Sequence, residues 1–166
     1  AVTLLRQAQQ IDDQHAGLAY DLAKSYEALQ QYAEASECYR QACDVDVCPL
    51  RMTSDLQDAL ESVCEHTQTR LVDVKRLFEA RSQHGVPGCY LLVDHVHPSM
   101  TGHQMIAELM MTEFQTAFNV SFAADWKRQR DEAYHQQLNS LGDVYYLEAQ
   151  RRLAGLRKWA QGRADG

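Results

Sequence analysis

The sequence predicts a mainly α-helical chain with a helical front over 1–46, a partial α/β segment over 47–121 and a helical tail over 122–166. Three observations predict it. Apolar residues recur at spacings of three and four at both ends of the 166 residues. Glycine (8) and proline (3) are scarce while Ala, Leu, Gln and Glu are plentiful, which favours helices over a sandwich or a flexible linker. Only the middle segment breaks the helical period with short β-branched runs. A hydrophobic share of 45% against 23% charged residues is enough to build a core and excludes a chain disordered by composition.

At the front, Ala16, Ala19, Leu22, Ala23, Tyr26 and Leu29 share one helical face. Tyr32, Ala35, Tyr39 and Ala42 repeat the pattern after a break at Gln30 and Gln31. Small Ala residues let two helices approach, and Tyr fills the groove beside them. The alternative is an ordinary helical hairpin. The spacing resembles the tetratricopeptide repeat, with its small positions on Ala23, Ala35 and Ala42 and its aromatics on Tyr26, Tyr32 and Tyr39. One repeat earlier, Ala1, Leu5 and Ala8 fall in register. About one and a half repeats are thus expected, with further sequence upstream, because a stable solenoid usually takes about three. The first residue being Ala points the same way. The resemblance implies a groove for a protein or peptide partner.

In the middle, Pro49 ends the preceding helix, and Thr53 or Ser54 caps a helix running to about Glu65 with Leu56, Leu60 and Val63 on one face. Arg70-Leu71-Val72-Asp73-Val74 and Tyr90-Leu91-Leu92-Val93 read as two short strands. A short helix through Leu77 and Phe78 and the loop His84-Gly85-Val86-Pro87-Gly88 separate them. Ser99 or Thr101 then opens a long helix striped by Ile106, Leu109, Met110, Phe114 and Ala117. The rhythm is that of an α/β layer. In the tail, 122–138 and 143–160 read as two helices broken at Ser140-Leu141-Gly142, with Leu153, Leu156 and Trp159 packing on Trp126, Tyr134 and Leu138. Tyr145, Tyr146, Trp126 and Trp159, at helical spacing, read as core.

The chemistry concentrates in Asp94-His95-Val96-His97-Pro98-Ser99. An Asp three residues before a His can turn its carboxylate onto the imidazole, fixing the tautomer and stabilising the imidazolium. Such a His suits general-base work on a hydroxyl nucleophile. Alternatively, Asp94 and His97 merely tie down a loop. His95, His97 and His103 could also hold a metal, but no carboxylate or Cys is spaced to complete the set, so neither metal nor cofactor is expected. Arg51 could meet a substrate anion or an acidic helix.

This stretch resembles the last motif of the SGNH, or GDSL-type, hydrolases, whose domain is flavodoxin-like. Asp94 and His97 match the Asp and His of the family's Ser-His-Asp triad, and Gly102-His103 with Ile106-Ala107 matches the helix that follows. Together with Cys48-Pro49-Leu50-Arg51 and Leu71-Val72-Asp73-Val74, it resembles bacterial proteins that join tetratricopeptide repeats to an SGNH domain. The resemblance implies an esterase acting on a small acyl ester. The family's Gly-Asp-Ser nucleophile has no match among Ser25, Ser36, Ser54, Ser62, Ser82, Ser99, Ser121 and Ser140. Its oxyanion Asn has none either, Asn119 and Asn139 lying too far along the chain. The expectation is the C-terminal portion of such an enzyme, inactive alone, or an interaction module carrying a hydrolase remnant.

Charge and cysteine usage exclude other classes. A net charge of −7 disfavours a nucleic-acid binder. Residues 1–121 carry 8 basic and 17 acidic side chains, net −9, whereas 122–166 carry 8 and 6, net +2. No apolar run reaches the roughly 18–20 residues of a membrane span. Five cysteines without paired spacing read as neither disulfide framework nor zinc site and mildly favour a reducing compartment, with Cys38 and Cys43 as small buried side chains.

Overall fold

The computed structural model describes residues 1–94 and 96–160, without the side chains of Arg157, Trp159 and Ala160. Eight α-helices follow in order among the described residues: α1 (Val2–Gln9), α2 (Ala16–Ala28), α3 (Tyr32–Asp44), α4 (Ser54–Thr67), α5 (Val74–Arg81), α6 (Met100–Phe118), α7 (Trp126–Ser140) and α8 (Asp143–Ala160). A single 3-10 turn, Gln83–Gly85, follows α5. No helix among them is long and apolar enough to cross a membrane. The chain divides into two units, Ala1–Gly102 and His103–Gly166.

The first unit is organised by α2 and α3. The His15 ring opens α2 by accepting the Leu18 N–H through Nδ1 at 3.1 Å. Gln30, at φ 60°, ends it in the left-handed region. There the Gln31 N–H reaches the Tyr26 carbonyl and the Gln30 N–H the Glu27 carbonyl, both at 2.9 Å, which satisfies carbonyls the helix end would otherwise orphan. The chain reverses at once into α3, as the break at Gln30 and Gln31 predicts. Leu22, Ala23, Tyr26, Ala35 and Cys38 are buried together, with Val2 and Leu5 of α1 packed against them. The Tyr26 hydroxyl accepts from Arg6 Nε at 2.6 Å, so its burial strands no polar atom. Burial pushes the Cys38 thiol pKa up, keeping it a neutral packing group.

The middle segment corrects the α/β expectation. No strand forms among the described residues, and neither apolar run pairs as a ladder. Asp73 serves instead as the N-cap of α5, accepting the Arg76 N–H at 2.8 Å, so Val74 becomes the first helical residue. In the second run, the Leu91 and Leu92 N–H groups both reach back to the Gly88 carbonyl at 3.0 Å and curl the chain into a turn. Among the described residues, the β pairing is limited to an isolated antiparallel bridge between Leu92 and Pro98. β-branched sequence sets a preference, but a strand needs neighbours for its N–H and C=O groups. Helix α4 forms where expected, yet Leu56, Leu60 and Val63 are exposed rather than buried.

A second, smaller core supports the loop that follows. Phe78 of α5 and Leu91 are buried, at 6% and 1% exposure. Gly102, in the first turn of α6, lies against them. A Cβ at Gly102 would sit 2.5 Å from the Leu91 carbonyl oxygen, 3.0 Å from Pro98 Cβ and 3.2 Å from Phe78 Cζ. Only glycine lets α6 begin there.

The second unit carries no fully buried residue among those described. Glu108 of α6 receives the Lys127 ammonium at 2.6 Å and lies 3.2 Å from Arg130 Nη1, tying α7 to α6. The Lys127 hydrogen bond, ahead of the Arg130 charge, holds the Glu108 carboxyl below its ordinary pKa. The Arg130 guanidinium lies over the half-buried Trp126 ring at 5.3 Å, and Phe122 meets the same ring edge-on. The tail helices break at Leu141 and Gly142 as expected, and the Tyr146 hydroxyl donates to the Leu138 carbonyl at 3.1 Å. Tyr145 and Tyr146 are not core: they remain exposed and make an edge-to-face pair. The part assigned to Trp159 falls outside the described side chains.

Leu22 is the largest fully buried side chain of the first core. Leu22→Ala is expected to cost roughly 2–5 kcal/mol, read from urea unfolding followed by circular dichroism. A midpoint unmoved by the substitution would refute this placement of the core.

Candidate active site

The loop from Leu91 to Ser99 is closed by its own backbone. The Ser99 N–H donates to the Leu91 carbonyl at 2.7 Å and the Val93 N–H to the His97 carbonyl at 2.9 Å. The Ser99 hydroxyl donates to the Tyr90 carbonyl at 2.8 Å and accepts the Gly102 N–H at 3.0 Å. Ser99 is thus the N-terminal cap of α6, as its sequence position predicts, and its hydroxyl is already engaged.

Asp94 sits inside this closure and uses both carboxylate oxygens. Oδ1 accepts the Val96 and His97 N–H groups, each at 2.8 Å, in a side-chain turn. Oδ2 lies 2.8 Å from His97 Nδ1. The carboxyl pKa is lowered to about 2, chiefly by the His97 backbone N–H, then by the Val96 N–H, with the His97 ring adding to both. A carboxylate only accepts, so His97 Nδ1 carries the proton and donates, which leaves the lone pair of the neutral ring on Nε2. The Asp94 side chain is 12% exposed and the His97 side chain 70%. The half-buried carboxylate therefore holds a ring that is largely open to solvent.

The structure thus brings together the two residues that the sequence singles out, at the hydrogen-bond distance that a general base and its orienting carboxylate require. Among the described residues, no hydroxyl or thiol side chain hydrogen-bonds to the His97 ring. Asn119 closes α6 in the left-handed conformation and Asn139 lies in the last turn of α7. Arg51 is exposed and pairs with no carboxylate among the described residues. His95 lies outside those residues, and no group of three or more His, Cys, Asp or Glu side chains among them could hold a metal ion.

A cleft of about 490 Å³ opens elsewhere in the first unit, between α3 and the 81–91 segment, and includes neither Asp94 nor His97. There Tyr32 and His84 stack with ring centroids 3.4 Å apart and planes 6° apart. The sequence marks both residues, one as a repeat position and one as part of a loop, but nothing in it joins them.

No protein-family model matches the chain, and no curated protein or solved structure shows significant similarity to it.

Two outcomes follow from the geometry. Because the Asp94 pKa is depressed, the side-chain turn is present above the ordinary carboxylate value near 4 and is lost as pH falls through about 2. A carboxyl ¹³C titration should place the Asp94 midpoint near 2, and a midpoint near 4 would contradict the three hydrogen bonds. Gly102→Ala should destabilise by roughly 1–3 kcal/mol, although alanine is normally the better helix former by about 1 kcal/mol. Thermal unfolding checks the sign, and a stabilised variant would refute the close approach.

Proposed function

We propose that this chain is the C-terminal portion of an SGNH-like ester hydrolase and supplies the Asp-His part of its Ser-His-Asp triad. The observation that carries this reading is the 2.8 Å contact between Asp94 Oδ2 and His97 Nδ1, with the same carboxylate fixed by two backbone N–H groups. In the proposed reaction, His97 Nε2 takes the proton of a serine hydroxyl as that oxygen attacks the acyl carbon. The imidazolium is stabilised by Asp94 and returns the proton to the leaving alkoxide. Water then repeats the sequence on the acyl-enzyme and releases a carboxylic acid. The serine and the oxyanion donors would come from a segment upstream of Ala1. Without them, an Asp-His pair is expected to hydrolyse little.

A second reading, a repeat-type interaction module, draws support from α1, α2 and α3. They pack through Ala23 and Ala35 around Leu22, the small-residue arrangement that the repeat pattern predicts. In that reading the Asp94 loop is structural and a peptide occupies the repeat groove.

The discriminating assay is hydrolysis of p-nitrophenyl acetate by the product of the reading frame extended upstream of Ala1. His97→Ala should lower kcat/KM by about 10³-fold or more, and Asp94→Asn by about 10²–10⁴-fold. Activity unchanged by His97→Ala would sink the hydrolase reading, whereas activity lost with His97 would exclude a purely structural loop.

A further inference from the structure

The cleft between α3 and the 81–91 segment has a chemistry of its own. Ala35 and Leu91, at 2% and 1% exposure, give it an apolar lining. The rings of Tyr32, Tyr39 and Tyr90 also line it. One end is pinned by the face-to-face stack of Tyr32 on His84. His84 holds a left-handed backbone at φ 55° in that stack and is followed by Gly85 at φ 75°. A non-glycine residue in that conformation is strained, and such strain clusters at ligand clamps and other functional sites. Two charged groups complete the lining. The Glu27 carboxylate is occupied, accepting the Tyr39 hydroxyl at 2.7 Å. Arg81, by contrast, has no carboxylate partner among the described residues, and neither a lysine nor a second arginine lines the cleft.

We propose that this cleft binds a small monocarboxylate with an apolar, preferably aromatic, body, its carboxylate meeting the Arg81 guanidinium and its body lying against the tyrosine rings. A volume of about 490 Å³ lies within the range of roughly 300–1,000 Å³ typical of small-molecule sites. A single planar guanidinium matches one carboxylate through two parallel hydrogen bonds. A dianionic phosphate ester would call for a second permanent cation, which the lining lacks, and Glu27 would repel it about twice as strongly as a monoanion. The proposal goes beyond the hydrolase reading and does not rest on it, because Asp94 and His97 are not part of the cleft.

The test is titration of the full chain with 4-phenylbutyrate, followed by calorimetry and by NMR shifts of the Tyr32 and His84 rings, with 4-phenylbutanol as the uncharged comparison. The expected result is saturable binding of the carboxylate at sub-millimolar to millimolar concentration, with shifts confined to the cleft. Arg81→Gln should weaken the carboxylate by about tenfold or more and leave the alcohol unchanged. Arg81 is exposed, so its replacement should leave the unfolding midpoint in place, and that midpoint is measured alongside. His97→Ala should leave binding intact even if it abolishes ester hydrolysis, which separates this site from the proposed catalytic one. No saturable binding up to about 10 mM, or a carboxylate affinity indifferent to Arg81→Gln, would overturn the proposal.

Discussion

Close approach of backbone segments through small side chains is the constraint on which the first unit depends. Ala23 and Ala35 are both buried where α2 meets α3, and they leave room for Leu22 and Tyr26 to fill the space beside them. Gly102 does the same for α6, whose first turn lies on the Leu91 carbonyl. Larger side chains at these points would hold the segments apart by about the width of a methyl group, and the hydrogen bonds around Ser99 span no such gap. The helical front and the Asp94 loop are thus built on one physical device at two places in the chain.

Polar termination does the work that glycine does in most helical proteins. Gln30, Gln68 and Asn119 all adopt left-handed backbone and end α2, α4 and α6. Each sits where glycine would cost less strain. In two of them the next helix follows closely: α3 starts two residues after Gln30, and α5 starts six residues after Gln68, capped by Asp73. With only eight glycines in 166 residues, tight reversals fall to residues whose side chains can still meet solvent.

The helices were legible because helix formation is local: spacing, caps and breaks are all written within a dozen residues. The Asp94–His97 contact was legible for the same reason, since three residues separate its partners. The strands were misread because a strand is completed by chain elsewhere, and β-branched residues at 70–74 and 90–93 carry no record of a missing neighbour. The cleft was invisible in a like manner: Tyr32 and His84 lie 52 positions apart, and only folding stacks them. Periodicity likewise identified the apolar stripes of α4 and α6 without saying what covers them. Leu56, Val63, Met110 and Phe114 are open to solvent among the described residues.

The Leu91–Ser99 closure has a consequence for how its geometry persists. Among the described residues, the hydrogen bonds that orient His97 come from within four residues, while Phe78 of α5 lies against Gly102 at the start of the following helix. The orientation of the ring is therefore set locally, while the placement of the loop depends on Phe78 of α5. Ring orientation and loop placement are thus separable: a disturbance of α5 would shift the pair as a unit and leave its internal geometry in place.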